Sequence, residues 1–294
     1  MDYLAGKKER RTWRFKANNV HDFAWAADPD YTRIQTFGPD SLELNFYFLS
    51  KYKKTWRQLP AATGQFFSLM NEQFGRYPYA QFSVIQGGDG GMEYPMCTML
   101  KGTGKLKGLI GVMAHESAHS WFYGMLATNE NQYPWMDEGF TSFAEDEVLN
   151  KMSDNPVANA HLSAYSTYLF MVEKDEVVPM TTPSDYFSRN RSYGISSYYR
   201  GALFLNQLRY IIGEKDFNAG MKSYYRKWRF KHPEPHDFLR VMEVQSGLQL
   251  DWYLNFWVNT TKEIDYAIQG VSSRVPQALW CNCSAWVKCL CLWR

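Results

Sequence analysis

No run of eighteen or more apolar residues occurs in this sequence, which excludes a transmembrane helix from the chain as it stands. A leader-like start is also lacking. The first twenty residues, MDYLAGKKERRTWRFKANNV, are charged where a secretory leader would be apolar. Charge of one sign is missing too: 32 basic and 30 acidic side chains are mixed along the chain for a net +2, so there is no electrostatic footprint for nucleic acid or an anionic membrane. Cysteine is scarce, and four of the five, Cys281, Cys283, Cys289 and Cys291, crowd the last fourteen residues. Their Cys-x-Cys spacing is not the Cys-x-x-Cys pairing of a zinc knuckle. Trp280, Trp286 and Trp293 share that stretch without helical or strand period, so residues 266–294 are expected to be an aberrant tail, such as an out-of-frame read, or the start of a next domain. No internal repeat or low-complexity segment interrupts the rest.

What the chain does have is apolar mass. Its 294 residues are 45% hydrophobic and 17% aromatic, ample for a large core in one or two domains. With the charge in balance, small or peptide substrates fit better than polyanions.

The chemistry concentrates in residues 115–140. His115-Glu116-Ser117-Ala118-His119, read as a helix, sets His115 and His119 one turn apart on one face, where both imidazoles reach a single ion. Zinc suits such a pair but needs a third protein ligand and an open position for water. Glu138, eighteen intervening residues later, opens a second amphipathic run and is the candidate third ligand. Average residue usage gives a His-Glu-x-x-His match by chance in roughly one chain in a hundred of this length, and the downstream Glu makes it rarer still. The flanking Val112, Met113, Trp121 and Phe122 are apolar and predict a largely buried helix, where two unpaired histidines and a Glu would be costly. Glu116, between the histidines, is the candidate general base. A metzincin is excluded because Phe122 and Met125 stand where that class needs Gly and His.

Periodicity sketches the elements around this centre. Residues 12–27 alternate in two short runs broken by Asn18-Asn19 and predict a β-hairpin, and Ser41 to Phe48 alternate as a strand. Apolar spacing of three and four from Lys53 to Phe74 predicts one helix despite Pro60 near its start, and Tyr79 to Gln86 a strand. Helices are expected over 106–124, with the histidines, over 137–150, with Asp137 or its predecessor near the N-cap, and from His161 to Val172. Asp146 and Glu147 are read as solvated, and His161, His232 and His236 as lacking the partners a metal ligand needs. A helix follows Tyr193 to Ala202, and three more (Asp216 to Arg229, Pro235 to Gln245, Asp251 to Val258) close the domain.

Three motifs in order carry a family resemblance. Gly90-Gly91-Met92-Glu93, the His115 to Glu138-Gly139-Phe140 constellation, and Tyr198-Tyr199-Arg200-Gly201-Ala202 together resemble the M1 (aminopeptidase N-like and leukotriene-A hydrolase-like) gluzincin metallopeptidases over residues 12–268. Tyr94 departs from the usual Asn of the first motif, and Arg200 from the usual Lys of the third. The resemblance implies an α+β, thermolysin-like catalytic domain over 37–265, mostly helical with a small mixed sheet, preceded in 1–36 by a remnant of a β-rich domain. It implies one zinc ion, peptide substrates bound at Gly90, Gly91, Met92 and Glu93, with Glu93 on the free α-amine, and Tyr198 steadying the oxyanion. Tyr193 matches a second active-site tyrosine of the leukotriene-A hydrolase branch. An aminopeptidase is the expected function. An epoxide hydrolase on the same zinc site, or a folded zinc-binding fragment without turnover, are the alternatives, the latter because the amino terminus looks truncated. Compartment is not readable.

Overall fold

The computed structural model describes residues 12–88, 90–174 and 176–262 with their side chains, and 266–275 and 278–285 as backbone. Five short strands form a mixed sheet: β1 (Tyr31–Phe37), β2 (Glu43–Leu49), β3 (Gln81–Gln86), β4 (Gly91–Tyr94) and β5 (Cys97–Leu100), in the order β1-β2-β3-β5-β4. The central pairs β2–β3 and β3–β5 are parallel, and the edge strands β1 and β4 pair antiparallel. β2 is the anchor. Leu44, Phe46 and Phe48 are wholly buried on one face and meet Phe66, Phe67 and Met70 in the same core, as the period-two pattern requires. β1 pairs with β2 along its whole length, so the sheet takes in residues before position 37.

The helix expected from Lys53 to Phe74 is two, α1 (Lys53–Trp56) and α2 (Leu59–Gln73). Pro60 is the reason: its ring would clash with the carbonyl of Trp56, so it sits in the first turn of a new helix. α3 (Leu106–His119) then runs under the sheet and passes into a π-helical turn (Ser120–Met125). A second π turn (Trp135–Gly139) leads into α4 (Phe140–Met152). α5 (Leu162–Val172) and α6 (Asn190–Gly194) follow, and a third π turn (Ile195–Tyr199) starts α7 (Arg200–Ile212). α8 (Glu214–Trp228), α9 (Pro235–Ser246) and α10 (Asp251–Asn259) complete the body. The architecture is α+β.

Two sequence expectations fail at the ends. Residues 12–27 contain no strand; the chain does reverse at Asn19, in the left-handed region, and Phe15 meets Phe23 across the turn at 6.1 Å, but no ladder forms. Trp13, Phe15, Phe23 and Trp25 are half exposed or more, and a two-stranded ribbon with no face to bury is not stable by itself. The segment is pinned instead by polar contacts: His21 Nε2 to the Tyr123 carbonyl at 3.0 Å, and the Tyr79 hydroxyl donating to the Asn19 carbonyl at 2.7 Å. At the other end, β6 (Tyr266–Val275) and β7 (Ala278–Ala285) pair antiparallel, so a stretch expected to lack strand period has one. Cys289 and Cys291 lie outside the described residues.

Candidate metal centre and cleft

α3 brings His115 and His119 to the floor of a cleft, and the π turn before α4 returns Glu138 opposite them. His115 Nε2, His119 Nε2 and Glu138 Oε2 converge: the three separations are 3.2, 3.3 and 3.3 Å. Behind each ring stands a carboxylate. His115 Nδ1 lies 2.9 Å from Glu145 Oε2, and His119 Nδ1 2.6 Å from Asp137 Oδ1 and 3.1 Å from the Thr141 hydroxyl. Such partners hold the proton on Nδ1, leaving both Nε2 lone pairs aimed at one point, and they raise ligand basicity. Two imidazole nitrogens and a carboxylate oxygen facing one another so closely fit a single divalent cation with nitrogen and oxygen preference. Burial alone would raise the Glu138 carboxyl, but hydrogen bonds with His115 and His119 hold it below the usual carboxylate range, in the anionic form a ligand needs.

Glu116 adjoins His115 in the chain and is buried, its carboxyl raised to about 7 by burial against the opposing pull of His115 and His119. Edge strand β4 lies directly on it. A Cβ added to Gly91 would fall 2.1 Å from Glu116 Oε1, so a side chain here would force that carboxylate to move. One residue further, Met92 is exposed, and Glu93 offers a carboxylate oxygen within 4.8 Å of Glu116 and His119. Gly90 meets open space.

Tyr198 arrives on the third π turn, its ring stacked on His115 at 5.6 Å and its hydroxyl donating to Glu138 Oε1 at 2.5 Å. Burial and then the Glu138 charge push its hydroxyl pKa well up, so it remains a donor. Tyr193 packs edge-on against Tyr198 at 6.0 Å, close to the centre but one ring removed. Two glycines make the juxtaposition possible. Gly139 and Gly201 pack back to back, and a Cβ on either would lie 2.6 Å from the other's Cα. A cavity of about 520 Å³ opens beside His115, Glu116 and Tyr198, with Val112, which is part exposed rather than buried, on its wall.

Three readings need correction. Asp137 does not cap a helix; it faces His119 from inside the π turn. Asp146 and Glu147 are not merely solvated, and His161 does not lack partners: its wholly buried ring has Nδ1 at 3.0 Å from Asp146 and Nε2 at 2.9 Å from Glu147, which also pairs with Arg209 at 2.9 Å. Glu145 and Thr141 were missed altogether. Glu145 falls seven residues after Glu138, a spacing that by itself does not tell an imidazole partner from water.

A mixed sheet over a His-Glu-x-x-His helix, with a carboxylate returned from the π turn before the next helix, defines the class: a metallopeptidase catalytic domain. The model of the peptidase family M1 domain matches residues 63–257, and the chain belongs to that family. Human glutamyl aminopeptidase is 27% identical over 167 residues, 55% of this chain and 17% of that protein; human aminopeptidase B is 24% identical over 226 residues, 65% of this chain and 33% of that one. The chain thus spans a minor part of the length of these curated relatives. Among solved structures, an M1 zinc metallopeptidase from Deinococcus radiodurans aligns with a TM-score of 0.64 at 19% identity, over 78% of this chain and 51% of that one. Legionella pneumophila aminopeptidase A, in complex with aspartic acid, aligns at 0.65 with 14% identity, over 81% and 30%. These share the fold. No described helix is long and apolar enough to cross a membrane.

Proposed function

We propose that the chain is the catalytic part of a zinc aminopeptidase that removes the amino-terminal residue of peptides. The observation that carries this reading is the convergence of His115, His119 and Glu138 on one point, each histidine backed by a carboxylate, with Glu116 and Glu93 beside it. Zinc held by these three ligands would supply Lewis acidity to the scissile carbonyl and to water.

The remaining work falls to the chain's own groups. Glu116 takes a proton from water as the water oxygen attacks the carbonyl carbon, and hands it to the amine nitrogen as the C–N bond breaks. Tyr198, which donates to Glu138 in this structure, turns its hydroxyl to the developing oxyanion. The free edge of β4 offers backbone groups to an extended peptide, and Glu93 at its end takes the α-ammonium in a charge-assisted contact. That contact sets the register. Cleavage is therefore one residue in from a free amino terminus.

Comparing free and acetylated forms of one short peptide tests the proposal. The parent should strongly prefer the free form, and Glu93→Ala should erase most of that preference through a higher KM. Equal rates on both forms by the parent would defeat the aminopeptidase reading and leave a zinc peptidase of another kind.

A further inference from the structure

Arg200 opens α7 two residues past Tyr198, and it is only 1% exposed. A cation buried so deeply is costly unless its donors are met, and here the two arms of the guanidinium reach two separate segments. Nη1 donates to the Val178 carbonyl at 3.2 Å and Nη2 to the Thr260 carbonyl at 2.5 Å, with the guanidinium over the Trp257 ring at 6.0 Å. Thr260 caps α10, so the charge sits at the carbonyl end of that helix, where the macrodipole favours it. The segment holding Val178 meets the same helix end, for the Thr181 amide donates to the Val258 carbonyl at 3.2 Å.

The Val178 carbonyl accepts a second bond. Ser196 Oγ donates to it at 2.9 Å from two residues before Tyr198. The π turn is therefore gripped on both sides of the tyrosine at one carbonyl, and Arg200 extends the grip to the end of α10. Glu138, which accepts from the Tyr198 hydroxyl, lies on the facing turn where Gly139 meets Gly201, so any shift of the Tyr198 turn changes what that hydroxyl reaches.

We propose that Arg200 is a positioning residue: its two-armed guanidinium clamps the π turn to residue 178 and to the end of α10, and so fixes where the Tyr198 hydroxyl stands beside Glu138. A lysine brings a single nitrogen, which does not span two carbonyls as the rigid fork does. The inference rests on the reading above in one respect, that Tyr198 acts in turnover.

A double-mutant cycle on the full, zinc-saturated chain, with a short peptide bearing a free amino terminus as substrate, tests the coupling. Arg200→Lys should lower kcat by about tenfold with KM changed by no more than about twofold, and Arg200→Met, which keeps the stem without either arm, should lower it further. In a Tyr198→Phe background the same changes should cost nothing more, because the hydroxyl they misplace is gone. Losses that multiply instead would make Arg200 merely structural and overturn the proposal. Amide hydrogen exchange read by mass spectrometry needs no turnover: Arg200→Lys should speed exchange at least about tenfold in 176–182 and 195–199 and leave α3 as in the parent. Exchange unchanged in those two stretches, or raised throughout the chain, would overturn the clamp. Arg200→Lys carries both arms of the test if Arg200→Met does not fold. Failure of the Tyr198 reading would show itself differently, as a Tyr198→Phe enzyme with the parent's kcat while the exchange difference persists.

Discussion

Glu116 and Tyr198 contribute to the site through what their polar atoms reach rather than through packing. Replacing Glu116 by Gln preserves its shape beside Gly91 but removes the carboxylate. Glu116→Gln should keep its zinc while turnover falls by about a hundredfold or more, measured as metal content and rate on one preparation. Equal loss of both would make Glu116 structural. Tyr198→Phe should also cut kcat by about a hundredfold with little change in KM, whereas Tyr199→Phe, at a residue that lines the same cavity, should be mild. At this scale the grouping of His115, His119 and Glu138 was legible in the sequence, because the two histidines lie on one helix face and Glu138 follows at a set spacing. Asp137 and Glu145 were not, since an acidic residue on a helix reads the same whether it faces water or an imidazole.

At the scale of elements, three π turns mark the site: one follows His119, one carries Glu138 and one carries Tyr198. Such turns are rare and concentrate at functional positions, where the extra residue re-aims a side chain. Periodicity could not place them, for a one-residue insertion only shifts the apolar phase. The two that carry Glu138 and Tyr198 are held in contact by Gly139 and Gly201. Gly201→Ala must push them apart, so it should cost about 1–3 kcal/mol of stability and lower activity as well. Gly108→Ala, in exposed helix with nothing near the new methyl, should be neutral or stabilising by up to ~1 kcal/mol. Thermal melts of the two variants check this pair; equal effects would mean the close approach is not what joins the turns.

Across the whole molecule, the His161 cluster ties the segment before α5 to α4, the same helix that presents Glu145 to His115. Its ring stacks on Phe143 at 4.8 Å, and the Arg209 guanidinium lies over that same Phe143 ring at 5.3 Å. Burial alone would lower the His161 pKa, but its bonds to Asp146 and Glu147 outweigh it and raise it. For Glu147, burial raises, but His161 and Arg209 win and lower it. The histidine's contribution is thus full below its unfolded value of about 6.5 and fades as pH rises through the higher folded value. The Glu147 contribution is full above about 4.3 and fades as pH falls through its lower folded value. Both are whole in the window between, so His161→Ala should lose about 3–5 kcal/mol there and progressively less at alkaline pH. Melts of parent and variant across pH, with zinc saturating, would show this; a difference independent of pH would mean the ring acts by packing alone.

Taken alone, the sequence determined the class of chemistry, because metal ligation by two residues one helical turn apart is a local matter, set by 3.6 residues per turn. It determined the alternating core strand β2 for the same reason, since Leu44, Phe46 and Phe48 repeat with the pleat. It also ordered the three motifs along the chain. Only the tertiary structure decided which carboxylates face which imidazoles, that residues 12–27 turn without pairing, and that His161 is buried between two acids. Each of those depends on groups far apart in sequence meeting in a low-dielectric interior. There, desolvation and partner geometry outweigh any preference that a residue carries by itself.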